Sequence, residues 1–225
     1  MNLIVFSGGR HPYEESTPVL EEFLTAADHT VTVTEDAGVL ADAGAMSGYD
    51  AVVFNTLREG DSTLTPQEQA GLKDFIGGGK GFVCIHISGC EPDTWQEYSE
   101  ITGGGWIMGK SFHPPYGQFT ANVTRPGHPG VESVSDFVTN DELYMGLKFN
   151  DDNDVFMTAD AEEGTHAWGG QQTFMPAGTF PLGWTRRYGD GRVFVTLLGH
   201  NGLSFMTSEF QKTVLNGVTW ATSKG

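Results

Sequence analysis

Cysteine is scarce in this chain, and so is positive charge. Only Cys84 and Cys90 occur among 225 residues, too few for a disulfide framework and without zinc-ribbon spacing. Lysine and arginine total 12 against 29 acidic residues, a formal net charge of -17, which disfavours nucleic acid or an anionic membrane as partner. No apolar run approaches the roughly 20 residues of a membrane span, and the opening Met1-Asn2 puts no basic region ahead of its apolar run. The expectation is a soluble, cytoplasmic protein built as a single domain over residues 1–225. Cys84, inside an apolar run, reads as a small buried residue. With so few basic residues, Arg10 and the pair Arg186 and Arg187 stand out as groups that meet a substrate or form surface ion pairs.

What is present reads as alternating strands and helices. Residues 3–7 form a first strand that leaves through Gly8, Gly9, Arg10 and His11. Thr17 and Pro18 read as the N-cap and first residue of a helix with Glu21 and Glu22 in its opening turn. Residues 31–34 make a second strand, and 50–56, apolar throughout at 51–54, a third that is covered on both faces. Thr65 and Glu68 flank a capping box before a helix that stops at the glycines 77–79. Residues 81–86 then give a fourth strand. This order predicts an α/β fold, a doubly wound, mostly parallel open sheet of the flavodoxin-like kind, with ligands beyond the carboxyl ends of the strands. Residues 103–183, rich in glycine, proline and aromatics, read as a β-rich insertion of hairpins and long loops. Regularity returns with a strand at 192–198 and a helix from about residue 208.

Chemistry concentrates at the strand ends. His86 closes the run FVCIH and is followed by Ser88 and Gly89, the position that holds the exposed reactive residue of a nucleophile elbow. His200 likewise stands between an apolar strand and a helix. Glu142 and Tyr144 flank Leu143 and share one face of an extended segment, whereas Asp141 faces away with Leu143. His86, His200, Glu142 and Tyr144 are therefore the candidate catalytic groups. Arg10, His11, His113, Trp184 and Arg187 are candidates for substrate binding, with core packing as the alternative for Trp184. His86, His113 and His200, joined by Glu142, are candidate ligands of a divalent metal such as zinc, though no short His spacing supports this. His128, before Pro129, reads as a turn residue. No glycine motif is placed as a dinucleotide site requires, so no nicotinamide cofactor is expected.

An elbow residue after a central strand and a histidine after a late one resembles the class I glutamine amidotransferase layout. That layout has a nucleophilic cysteine at the elbow; here His86 occupies the place, and glutaminase chemistry is not expected. The chain also resembles the ThuA-like family, named for trehalose utilisation, through GGKGFVCIH at 78–86, FHPPYGQFTANV at 112–123, TNDELYM at 139–145, WTRRYGDGRVF at 184–194 and LGHN at 198–201. The resemblance implies the amidotransferase-like fold and a part in sugar utilisation. The expected function is an enzyme acting on a glycoside or keto-sugar by histidine acid-base or metal-assisted chemistry. The alternative is a non-catalytic carbohydrate-binding or accessory protein. Expected partners are a small-molecule sugar and a partner oxidoreductase for any oxidation of it, with homo-oligomerisation left open.

Overall fold

The computed structural model describes residues 1–86, the backbone of 89–90, and 95–223. Ser88, which the sequence sets beside His86, lies outside the described residues. Four strands, β1 (Asn2–Gly8), β2 (Thr30–Thr34), β3 (Ala51–Arg58) and β4 (Gly81–Ile85), alternate with helices α1 (Tyr13–Ala26), α2 (Ala43–Met46) and α3 (Pro66–Gly77). The middle of the chain supplies β5 (Gly89–Cys90), α4 (Tyr98–Thr102), β6 (Gly104–Gly105), β7 (Gly117–Val123), β8 (Phe137–Asp141), β9 (Lys148–Phe149), β10 (Asp154–Ala161), β11 (Gly164–Trp168) and β12 (Gln171–Met175). It closes with β13 (Gly178–Tyr188), β14 (Gly191–Thr196), α5 (Gly202–Phe205) and α6 (Ser208–Thr222).

The main sheet runs β2-β1-β3-β4-β14-β13-β10-β7-β8, with β5 added to the end of β3. Its first half is parallel, as expected, and β1, β3 and β4 are covered on both faces while β2 forms the partly exposed edge. Leu3, Val5, Val53, Val83 and Ile85 point to a core shared with α1 and α6, while Ile4, Phe6, Val52, Phe54 and Phe82 point to the opposite core beneath α3. Alternation about the strand axis thus turns apolar runs into a doubly wound sheet. The inserted region does more than add loops: β13, β10, β7 and β8 continue the same sheet antiparallel. The sheet is therefore mixed.

Local signals hold at α3 and fail at α1. Thr65 and Glu68 form the expected reciprocal capping box. Helix α1, however, starts at Tyr13, four residues before the expected cap, and Pro18 lies inside it. The Thr17 hydroxyl is engaged elsewhere, in a buried network with Ser7 (2.7 Å) and Asn55 (3.1 Å) that ties α1 to β1 and β3. Tertiary hydrogen bonding thus outweighs the local Thr-Pro signal, since a buried Asn55 NH₂ group left without an acceptor costs more than an unused cap.

The loop leaving β1 is fixed by close approach. Gly9 has φ +125°, and a Cβ there would stand 2.4 Å from the Leu57 carbonyl oxygen. Gly9→Ala is expected to lower stability by about 2 kcal/mol or more, read as a lower urea midpoint at unchanged slope. A midpoint within error of the parent would refute this clamp.

His128 is structural, in keeping with the turn reading. Its Nδ1 accepts the Gly130 N–H (3.0 Å), so Nε2 carries the proton and donates to Thr185 Oγ1 (3.0 Å). Burial, and the charge of Arg125, lower its pKa to about 4. The unfolded imidazole titrates near 6.5, so between these values the unfolded chain binds more protons. Stability is expected to be complete above about pH 6.5 and to fall by at most ~3 kcal/mol as the pH drops to about 4. His128→Gln should flatten part of that slope in acid titrations of unfolding. An unchanged slope would refute the assignment.

Candidate functional site

Three strand ends and one insertion strand deliver their last residues to one crevice. His86 follows β4 in the left-handed backbone region at φ +59°, the strained geometry of an elbow, with its backbone N–H bonded to the Thr196 carbonyl. His200 is set by its neighbours. Gly199, at φ +122°, allows close packing against Ile85, and Asn201 caps α5 through the Leu203 and Ser204 N–H groups. His11 arrives from the clamped loop after β1. Glu142 and Tyr144 come from the end of β8, on one face as expected.

Asp141, expected to face away from Glu142 with Leu143, lies buried in the floor of the crevice. Its carboxylate accepts the N–H groups of Gly199 (2.7 Å), His200 (3.3 Å) and Glu142 (2.9 Å), and lies 3.8 Å from His86 Nδ1. Burial raises its pKa, while His86 and these N–H groups hold the rise in check. The antiparallel continuation of the sheet is what brings β8 under the β14 end, and no local pattern carries that information.

The His86 ring is oriented by a backbone acceptor. Leu197 O lies 2.7 Å from Nδ1, and a carbonyl only accepts, so Nδ1 is protonated and Nε2 faces the crevice. Tyr144 Oη stands 2.6 Å from Nε2, and Glu142 Oε2 3.5 Å from it. Burial works against the imidazolium, but the Glu142 and Asp141 carboxylates outweigh it and raise the His86 pKa. Burial next to the same carboxylates holds the Tyr144 phenol neutral, far above its usual range.

Glu142 is the hub. Oε2 lies 3.1 Å from His200 Nδ1, and Oε1 lies 3.4 Å from His113 Nε2. Burial opposes its charge, yet the surrounding imidazoles win and its pKa is strongly lowered. His113 donates from Nδ1 to its neighbour Pro114 O (2.7 Å), and burial lowers its pKa. His11 packs edge-on against His86 and His200 at ring-centroid distances of 4.9 and 5.0 Å. Burial and those two rings bring its pKa down to about 3. Ring nitrogens of His11, His86 and His200 and a Glu142 oxygen all lie within 4.8 Å of one another. Among the described residues, then, His11 takes the place in the metal-capable cluster that the sequence suggested for His113.

These groups open into a cavity of about 810 Å³. Its walls include Trp106 and Trp168, with Trp106 4.9 Å from Tyr144 and Trp168 4.5 Å from His113 between ring centroids. Arg10 lines the mouth and pairs with Glu59 (3.2 Å). Two expected binding residues are elsewhere. Trp184 is fully buried in the sheet core, its Nε1 donating to the Thr102 carbonyl (2.7 Å). Arg187 is exposed at the far end of the sheet, because β13 runs antiparallel and its partner Arg192 pairs with Gly81, where β4 begins. The aromatic platform is Trp106 and Trp168 instead. Trp168 precedes Gly169 and Gly170, both at positive φ in the two-residue turn of the β11–β12 hairpin. That Gly-Gly signal was readable in the sequence; its position over the crevice was not. Cys84 is buried, its Sγ 3.4 Å from Tyr98 Oη.

The comparisons agree with this architecture. The chain belongs to the ThuA family, described as trehalose utilisation, whose family model matches residues 2–221. Family membership supports a role in sugar utilisation in general terms. A putative ThuA-like protein from Parabacteroides merdae superposes with a TM-score of 0.75 at 20% identity, covering 99% of this chain and 89% of that one. A cytoplasmic protein from Salmonella typhimurium LT2 gives 0.67 at 15% identity over 98% and 99% of the two chains. Part of a β-galactosidase from Bacillus circulans gives 0.60 at 12% identity, covering 97% of this chain and 30% of that one. No curated protein sequence matches the chain. Among the described residues no helix is long and apolar enough to cross a membrane.

Proposed function

We propose that this chain is a sugar-utilisation enzyme that acts on a glycoside or its keto derivative by acid-base chemistry at His86, Tyr144, Glu142 and His200. One observation carries the reading: the 2.6 Å contact between Tyr144 Oη and His86 Nε2, with the other imidazole nitrogen fixed by Leu197. A neutral phenol beside an oriented imidazole can donate to a carbonyl oxygen and stabilise an enolate. An imidazole nitrogen or the Glu142 carboxylate would remove the proton from the adjacent carbon and return it later. The 810 Å³ cavity suits a small sugar, and Trp106 and Trp168 offer apolar faces to its C–H groups. Arg10, His11 and His113 would contact its hydroxyls. The absence of a dinucleotide motif supports assigning any oxidation to a partner oxidoreductase. The cytoplasmic naming of the Salmonella protein supports the same compartment here. Glutaminase activity is not proposed, since His86 holds the elbow and Cys84 lies in the core.

The two tryptophans also favour a second reading, a carbohydrate-binding protein without turnover. Calorimetric titration with glycosides and keto-sugars separates the two when paired with product analysis. Trp168→Ala is expected to weaken binding about tenfold, the scale of one lost aromatic contact. Unchanged affinity in that variant would remove the platform from both readings. Binding by the wild type without any product would favour the second reading over the first.

A further inference from the structure

We propose that His11, His86, His200 and Glu142 form a binding site for one divalent cation of the zinc or cobalt type. Four donor atoms from four separate chain segments converge within 4.8 Å, and three of them are imidazole nitrogens. A tetrahedral ion with donor arms of about 2.0–2.1 Å has donor-donor edges of about 3.3 Å. Two edges of the cluster already have that size: Glu142 Oε2 to His200 Nδ1 at 3.1 Å, and Glu142 Oε2 to His86 Nε2 at 3.5 Å.

The surrounding contacts are those of ligands held in place. The His86 Nδ1–H donates to Leu197 O, which leaves Nε2 as the donor atom and fixes the ring. Of the two Glu142 oxygens it is Oε2 that meets His86 and His200, while Oε1 lies 3.4 Å from His113 Nε2. Among the described residues His200 Nδ1 is a buried ring nitrogen whose nearest polar neighbour is Glu142 Oε2 at 3.1 Å, an ion-pair contact without hydrogen-bond geometry. An unsatisfied buried imidazole nitrogen calls for a partner, and a cation at the centre of the cluster would supply one. Three imidazoles and one carboxylate match zinc, cobalt or nickel better than the oxygen-seeking calcium or magnesium. Tyr144 Oη, now bonded to His86 Nε2, would have to swing aside and would then stand next to the ion.

Cation binding is measured without sugar, so its failure is distinguishable from failure of the sugar reading and leaves the His86–Tyr144 proton path in place, whereas an ion held on His86 Nε2 would replace that path and leave Tyr144 as the proton donor beside it. The test uses the full-length, untagged protein, freed of metal with a chelator and titrated with Co²⁺ alone. Visible d–d absorption bands and calorimetric heat are the readouts. The expected result is one equivalent bound with tetrahedral-type bands. His200→Ala and His11→Ala, both at partly exposed positions, should each weaken Co²⁺ binding by about 100-fold or more. His113→Ala, which removes none of the four donors, should leave Co²⁺ binding within a few-fold of the parent. The proposal is overturned if the wild type shows neither bands nor heat, or if binding survives unchanged in the His11→Ala, His200→Ala double variant whose circular dichroism matches the parent.

Discussion

Replacing His86 with asparagine is expected to reduce turnover by about 10²- to 10⁴-fold while changing sugar affinity only a few-fold. Asparagine is chosen because it tolerates the left-handed backbone that His86 adopts at φ +59°, so that loss of function is not simply loss of the elbow. What it cannot do is exchange a proton near neutral pH. Tyr144→Phe keeps the ring against Trp106 and removes only the hydroxyl 2.6 Å from His86 Nε2, so it should reproduce most of the effect. The two losses should not add in the double variant, because both residues serve one proton path. Near-parental turnover in either single variant would exclude the path.

The second large effect is on stability. Asp141→Ala leaves the N–H groups of Gly199, His200 and Glu142 without their carboxylate in a buried place. At about 1–3 kcal/mol for each unsatisfied buried group, with partial relief by water, a loss of about 3–5 kcal/mol is expected in urea unfolding. Asp141→Asn keeps one acceptor oxygen and should lose roughly half as much. Because the same N–H groups set the backbone beneath His200 and Glu142, turnover should fall in both variants. Unfolding curves that coincide with the wild type would remove Asp141 from this role.

The parallel half of the fold was legible because its signals are local. The apolar runs at 51–54 and 82–85 and the Thr65–Glu68 capping box depend on neighbours in sequence, and each became the expected element. The antiparallel half depends on pairings between distant segments, and it is there that the site reading went astray. Arg187 was singled out only because basic residues are scarce, and β13, running antiparallel, carries it to the far end of the sheet; Trp184 takes the core-packing alternative rather than the sugar platform. His86, His200, Glu142 and Tyr144 were legible because a residue just after a parallel strand, or on a known face of an extended segment, has its direction set by the backbone. His11 was placed by topology alone. Trp106 went unnoticed and the buried contacts of Asp141 were not foreseen, since their positions follow from β8 and the 103–113 segment closing over the strand ends.

The crevice is proposed to turn over a sugar with its own histidine, phenol and carboxylate. The most direct measurement is proton NMR of the wild type and the His86→Asn variant, each incubated in deuterium oxide with a panel of glycosides and keto-sugars. The account predicts that the wild type exchanges or transforms a proton beside the keto carbon of at least one compound, and that the variant binds the same compound without change in its spectrum. Equal conversion by both proteins, or binding without exchange or product by the wild type, would contradict it.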